Sequence, residues 1–154
     1  MTIRPATQND IEALLPIYER MYGTLASFGL PFKLDTEELP NVLGVTIKSK
    51  LCYLGLAEED GKLLGYVQAS IAKLDRKLGY EGGNAIGIIN DVFVEDEARG
   101  LGLASALCES AENWMRENGI ALSQAQVLCK NGPARTFWSS RGYGDLHITV
   151  FKEL

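Results

Sequence analysis

The stretch Val94-Glu95-Asp96-Glu97-Ala98-Arg99-Gly100-Leu101-Gly102-Leu103-Ala104 is where residue types point most directly to chemistry. Glycines at 100 and 102 let backbone N–H groups approach a ligand with no side chain in the way. The apolar periodicity that begins at Leu103 places a helix N-terminus directly behind them. Unpaired N–H donors and the positive end of a helix dipole suit an anion. The first turns, Leu101 to Leu107, contain no Asp or Glu, so nothing within the helix answers that dipole. A phosphate or pyrophosphate would. The alternative is that the two glycines only shape a tight strand-to-helix turn and that Arg99 is solvated. Other phosphate loops fail on spacing. There is no Gly-x-x-x-x-Gly-Lys-Ser/Thr string, and a dinucleotide fingerprint would put Ser105 at its third glycine position, far from the first strand.

Other reactive residues carry less. Cys129 and His147 could form a nucleophilic pair, but no third residue with a recognisable spacing supports them, and Cys129 at the end of an alternating strand reads as a small buried hydrophobe. Glu95-Asp96-Glu97 reads as a solvated acidic run pointing away from the anion site. Cys52, Cys108 and Cys129 never form a Cys-x-x-Cys pair and His147 is the sole histidine, so the usual four-ligand zinc site cannot be assembled and no metal is expected.

The elements that must position this loop follow from periodicity. Thr2 to Pro5 reads as a first strand, and Thr7-Gln8-Asn9-Asp10 as a capping box opening a helix through Ile11, Leu14, Leu15, Tyr18, Met21 and Tyr22, bent at Pro16. A short helix is expected near Thr36 to Thr46. Leu51 to Ala57 and Leu63 to Ala72 form a hairpin through Glu59-Asp60-Gly61-Lys62. After a polar, glycine-rich connection over 73–84, Ala85 to Val94 is a further strand. Leu103, Ala104, Leu107, Cys108, Ala111, Trp114 and Met115 make one broad apolar helix stripe, stopped by Asn118-Gly119. Ala121 to Cys129 reads as a strand, Pro133 to Ser140 as a helix and Leu146 to Lys152 as a last strand. The unit from Ala85 to Cys129 is β-α-β, which makes its two strands parallel.

Composition bounds the rest. The chain has 154 residues, 46% of them hydrophobic and 23% charged, enough for one packed domain over 1–154. The absence of paired cysteines points to a reduced, cytoplasmic protein. A formal charge of −5 argues against nucleic acid as a partner. No apolar run approaches a membrane span of about 18 residues, and the N-terminus lacks the features of a signal peptide.

The motif Arg99-Gly100-x-Gly102-x-Ala104, after a strand ending Asp91-Val92-Phe93-Val94, resembles the acetyl-CoA-binding motif of the GCN5-related N-acetyltransferases (GNAT family), Gln/Arg-x-x-Gly-x-Gly/Ala. The opening Ile3-Arg4-x-Ala6-Thr7-x-x-Asp10 is similar to the family's first strand and helix start. Asn131-x-x-Ala134-x-x-Phe137-Trp138-x-x-x-Gly142-Tyr143 resembles its second block. The resemblance implies the α/β GNAT fold: a mixed, mostly antiparallel sheet of about six or seven strands flanked by about four helices. In it, strands 85–94 and 121–129 start parallel and splay apart, leaving a cleft for the pantetheine arm.

It further implies acetyl-CoA as cosubstrate and an amine as acceptor, joined directly in a ternary complex. The backbone of Val92, Phe93 and Val94 would pair with pantetheine, with a backbone N–H near Val94 holding the thioester carbonyl. The N–H groups from Arg99 through Gly100, Leu101, Gly102, Leu103 and Ala104 would hold pyrophosphate, with Ser105 beside them. Asn131, Ala134 and Phe137 would line the far side, Phe137 being largely core. Two departures stand out. Many members carry Glu where this chain has Asn90 and Tyr where it has Trp138. Asp91 is therefore the first candidate for amine binding or water-mediated deprotonation, and Trp138, whose indole cannot transfer a proton, positions the thioester. Tyr22, Phe28, Asp35 and Tyr80 would wall the acceptor site. The negative charge favours a cationic small-molecule amine over a protein acceptor. The resemblance allows a homodimer, and the missing Glu and Tyr keep open a non-catalytic acyl-CoA sensor.

Overall fold

The computed structural model describes residues 1–154. Its frame is a sheet of five strands in sequence order: β1 (Thr2–Pro5), β2 (Cys52–Glu59), β3 (Lys62–Lys73), β4 (Ala85–Val94) and β5 (Ser123–Ala125). The first four run antiparallel to their neighbours, and β5 is parallel to β4. Helices α1 (Ile11–Ser27) and α2 (Leu39–Lys48) cover one face, while α3 (Leu103–Glu117) and α4 (Gly132–Ser140) belong to the other.

Local chemistry explains most boundaries. Asp10 accepts hydrogen bonds from the Thr7 N–H (2.7 Å) and hydroxyl (2.9 Å), and also takes both ends of the Arg4 guanidinium, which fastens β1 to the start of α1. The Arg4 pairing holds the Asp10 carboxyl down at about 2. α1 continues through Pro16, which lies inside the helix and removes the i→i−4 bond to the Glu12 C=O. The β2–β3 hairpin turns on Asp60 and Gly61, both at positive φ (50° and 77°), the geometry that Asp-Gly favours. α2 begins three residues later than expected, because Asp35 Oδ1 caps the Glu37 and Glu38 N–H groups and Pro40 sits in the first helical turn.

Two cores flank the sheet. Leu14, Ile17, Tyr18, Met21, Leu39, Leu43, Leu54, Leu56, Tyr66 and Phe93 pack under α1 and α2. Val67, Ile89, Val94, Leu103, Leu107, Cys108, Ala111, Met115 and Trp138 pack under α3 and α4. Full burial of such a side chain is worth about 1.5–3 kcal/mol.

Three expectations are corrected. The sheet has five strands, because Leu146 to Lys152 pairs with nothing and lies exposed. The strand expected over 121–129 pairs only over Ser123–Ala125, and beyond that point β4 and this segment share no ladder. Consequently Cys129 is exposed instead of buried.

Candidate functional site

Asn90 divides β4 into two halves. From Gly87 to Ile89 the strand is paired on both edges, with β3 on one side and Ser123–Ala125 on the other. From Asn90 onward only β3 remains. At the same point the register with β3 slips: Ala69 opposes Ile89 and Gln68 opposes Asp91, leaving Asn90 as an extra, bulged residue. Ile89 belongs to the α3–α4 core, and plain alternation would send Asp91 to that face too. The bulge turns it instead toward α1, with Phe93 beside it in the other core. The bulged Asn90 is exposed and accepts a hydrogen bond from Ser70 Oγ (2.9 Å).

The free edge has definable backbone groups. Glu95 N–H bonds to Leu64 C=O, so by alternation Phe93 and Asp91 turn their backbones toward β3. Val92 and Val94 therefore turn theirs to the open side. The Val94 carbonyl is taken by Arg99 Nε (3.2 Å), which leaves the Val94 N–H and both Val92 groups for a ligand. An extended, amide-rich chain fits such an edge as an added strand.

The edge runs into the glycine loop. Gly100 and Gly102 sit at φ 79° and 76°, where an L side chain is strained, and the space a Cβ would occupy is open at both. Within α3 the first N–H to find a helical acceptor is Ala106, bonded to Gly102 C=O. The N–H groups of Gly100, Leu101, Gly102, Leu103, Ala104 and Ser105 thus have no backbone acceptor, and no carboxylate occupies the first turn of α3. Consecutive donors alternating through positive φ form a concave anion nest. Arg99 departs from expectation: its N–H closes a turn onto Asp96 C=O, and its guanidinium pairs with Asp96 (2.8 Å) over the Phe93 ring. The acidic run likewise engages cations, Glu95 holding Arg20 and Glu97 holding Lys62, instead of standing free.

The far wall is α4 and the turn before it. Asn131 Oδ1 accepts from Ala134 N–H (3.1 Å) and caps α4. Ala134 and Phe137 are half-buried on the α3–α4 core, whereas Trp138 is the buried one, its ring edge-on to Phe137 and Tyr143. Phe137, expected to be largely core, is only half-buried, and Trp138, expected to position the thioester, is buried in the core. Arg141 fixes this wall to α3: it pairs with Glu112 (2.9 Å) and donates to Ser105 C=O (3.4 Å), while the Tyr143 hydroxyl bonds Glu112 and Ser123. Burial pushes the Tyr143 phenol up to about 12.

On the α1 side, Asp91 lies half-buried among tyrosines. Burial without a cationic partner pushes its carboxyl up to about 6. Tyr18, Tyr22 and Tyr66 are pushed up in turn, first by burial and next by neighbouring charge, Asp91's among them. Tyr18 stacks on Tyr66 (centroids 4.3 Å) and donates to Gln68 Oε1 (2.6 Å), the residue opposite Asp91 on β3. Sequence reading missed Tyr18, Tyr66 and Gln68. The available signals were Tyr18 and Tyr22 one helical turn apart and a glutamine inside an apolar strand.

The acceptor-wall candidates do not all gather here. Tyr22 does, and half-buried Phe28 follows the last residue of α1. Asp35 is spent on capping α2. Tyr80 is folded into its own turn, its hydroxyl donating to Ala85 C=O (2.8 Å) at the opposite end of β4. Cys129 and His147 are both exposed and share no hydrogen bond, and Cys108 is buried with its thiol pushed up to about 12.

Residues 12–143 match the model of the Acetyltransferase (GNAT) family. An uncharacterized N-acetyltransferase of Bacillus subtilis, YhfO, is 26% identical over 147 residues, covering 93% of this chain and 89% of that protein. Two crystal structures share the fold. A predicted acetyltransferase of Clostridium acetobutylicum with acetyl-CoA has a TM-score of 0.78 at 19% identity, over 99% of this chain and 95% of that one. The aminoglycoside 6'-N-acetyltransferase AAC(6')-Ig of Acinetobacter haemolyticus has a TM-score of 0.80 at 16% identity, over 100% and 98%.

Proposed function

The chain belongs to the acetyltransferase (GNAT) family, and from that premise we propose that it moves the acetyl group of acetyl-CoA onto a primary amine, by direct attack in a ternary complex. The observation that carries this reading is the continuity of the free edge of β4 with the N–H nest at Gly100–Ser105, beside a desolvated Asp91 on the opposite face of the same strand.

Each half of the reaction draws on different groups. The Val92 backbone and the nest hold the pantetheine amides and pyrophosphate, with Ala134 and Phe137 flanking the arm and Asn131 ordering α4 behind it. The Val94 N–H polarises the thioester carbonyl, a donor aimed where negative charge develops. The acceptor's ammonium gives one proton to Asp91, directly or through one water; the neutral nitrogen then bonds to the thioester carbon, the C–S bond breaks, and the second proton that nitrogen sheds on becoming an amide passes through solvent to the departing thiolate. A carboxyl near 6 is mostly ionised at neutral pH yet basic enough to serve. Rate should therefore rise through about pH 6 and level off above it. Tyr22, kept as a phenol by burial, and Phe28 wall the amine.

The acidic balance and Asp91 favour a cationic small molecule over a protein acceptor. Aminoglycosides, which the Acinetobacter neighbour's name specifies, are one class with that chemistry. Three free cysteines are in keeping with a reducing, cytoplasmic setting, and no helix is long and apolar enough to cross a membrane. A second reading, a non-catalytic acyl-CoA sensor, is favoured by Asn90 and by a buried Trp138 at the positions where many relatives carry Glu and Tyr. Thiol release from acetyl-CoA, screened across polyamines, aminoglycosides, amino acids and peptides, separates them. Amine-dependent release supports the enzyme; binding with no release for any amine leaves the sensor.

A further inference from the structure

Two side-chain amides stand beside Asp91, and both are tied at the same end. Gln68 is the cross-strand partner of Asp91, so the two side chains leave the same face of the sheet with Cβ atoms about 4.5–5.5 Å apart. Gln68 Oε1 accepts from the Tyr18 hydroxyl (2.6 Å), while Gln68 Nε2 makes no hydrogen bond within the protein. Ser70 lies two residues along β3 and so on that same face, and its hydroxyl donates to Asn90 Oδ1 (2.9 Å). Asn90 Nδ2 is left over in the same way. Tyr18, kept as a phenol first of all by burial, fixes which end of the Gln68 amide is spent.

These amide nitrogens are within reach of a ligand. Asn90 is exposed, and among the buried and half-buried residues the unpartnered polar side-chain atom sealed from solvent is Arg141 Nε. Gln68 Nε2 and the Asp91 carboxylate, which also lacks a hydrogen-bond partner, are therefore open. Amide N–H donors flanking one carboxylate match a ligand that brings a donor nitrogen and an acceptor atom close together. An alkyl polyamine or a lysine side chain brings no acceptor at neutral pH and would leave those N–H groups unpaired, the source of discrimination against an analogue lacking a hydrogen-bonding group. A carboxylate on the ligand would accept, but beside Asp91 in a chain of formal charge −5 it would be repelled. A neutral oxygen accepts without that repulsion.

We propose that Gln68 and Asn90 select the acceptor, and that the acceptor is an amine with a neutral oxygen, a hydroxyl or an amide carbonyl, on the carbon next to the one bearing nitrogen. This rests on the transferase reading with Asp91 at the amine. In the N–C–C–O unit the nitrogen meets Asp91 while the oxygen takes N–H bonds from Gln68 and Asn90. Tyr18 and Ser70 are positioning residues: each holds the oxygen end of one amide so that its NH2 group is left for the ligand. No bond of the transfer step changes, since the oxygen only orients the nitrogen. Asn90, which cannot serve as a base, thus acts as a donor.

The test is a matched set of small amines, read as kcat/KM from thiol release. Ethanolamine and glycinamide carry the two kinds of oxygen, propylamine has the shape of ethanolamine without it, and ethylenediamine replaces it by a second cation. Wild type should prefer ethanolamine or glycinamide to propylamine, and the one preferred names the oxygen. Gln68→Met keeps the length and removes the amide, and the ratio of that amine to propylamine should fall at least about ten-fold. Asn90→Ala should lower it about three-fold or more. Each ratio is taken on one preparation, so the folded fraction cancels, and comparing ratios between variants cancels the amines' own basicities. Gln68→Glu leaves an oxygen for Tyr18 but puts a carboxylate where the donors were. It should raise ethylenediamine relative to ethanolamine about ten-fold or more over wild type, a reversal that lost packing would not produce. Ratios unmoved by Gln68→Met and Gln68→Glu overturn the proposal, and one unmoved by Asn90→Ala removes Asn90 from it. Propylamine turned over as fast as the oxygen-bearing amines by wild type overturns it too, and leaves the transferase reading standing. No release with these or any other amine overturns the transferase reading itself, and the proposal with it.

Discussion

The two halves of β4 are one strand under two regimes. Ala85 to Ile89 is paired with β3 throughout and with β5 over Gly87–Ile89, and is packed so closely that a Cβ on Gly87 would lie 2.2 Å from Met115 Sδ. Asn90 to Val94 is paired on one side and opens onto a loop where a Cβ on Gly100 or Gly102 would meet nothing within 4 Å. Both halves contain glycine nearby, for opposite reasons: in one the glycine admits a helix, in the other it leaves room for something the chain does not supply. Substitutions in the first half should act on stability, and those in the second on ligand and rate.

The largest expected effect lies at the open end. Gly102→Asp and Gly102→Asn introduce the same shape, and Asn tolerates the positive φ at least as well, so they differ in charge alone. Gly102→Asp should weaken coenzyme A binding by about 100-fold or more while Gly102→Asn stays within about ten-fold, read by titration calorimetry. Equal affinities for the two would mean that no anion sits on the nest.

Next comes Asp91→Asn. Acetyl transfer should fall by about ten-fold or more, with coenzyme A affinity unchanged and the rise in rate near pH 6 abolished. The same substitution tests the desolvation. An acid raised from about 4 to about 6 on folding binds more protons in the folded state. Between those values stability therefore falls as pH rises, and the loss is complete above 6. Asp91→Asn should then stabilise the protein by about 1–3 kcal/mol at pH 8 and hardly at all below pH 4. A mutant equally active and no more stable at pH 8 would leave Asp91 as a strand-end carboxylate.

Gly87→Ala sharpens the contrast from the closed half. The forced shift of Met115 should cost about 1–3 kcal/mol of stability in denaturant melts, while coenzyme A affinity per folded molecule is preserved. A large loss of affinity at full folding would show that the halves are not independent.

The smallest effect on function is expected at Trp138. With the indole buried, Trp138→Tyr acts through packing and a hydroxyl placed in the core, and turnover of folded protein should stay within about two-fold. A ten-fold change in turnover or coenzyme A affinity would bring position 138 back to the thioester.

The strand–loop–helix from Ala85 to Glu117, the Asp60-Gly61 hairpin and the Thr7–Asp10 capping box were legible from sequence because each is specified by neighbours in the chain: a period, a turn preference, a cap three residues away. The nest was legible for the same reason. What sequence could not give is whatever depends on a distant partner. Whether Asn90 bulges is set by its register against Gln68 and Ala69, and that slip alone decides that Asp91 faces Tyr18 and Tyr66. Periodicity marked both Phe137 and Trp138 as apolar, but which one fills the core depends on the angle at which α4 meets Tyr143 and α3. The segment 146–152 reads as a strand from its alternation, yet a strand exists only where it pairs with another, and this segment pairs with none. Local chemistry dictated the elements and the anion cradle; pairing between residues far apart in sequence decided which side chains meet in the cleft.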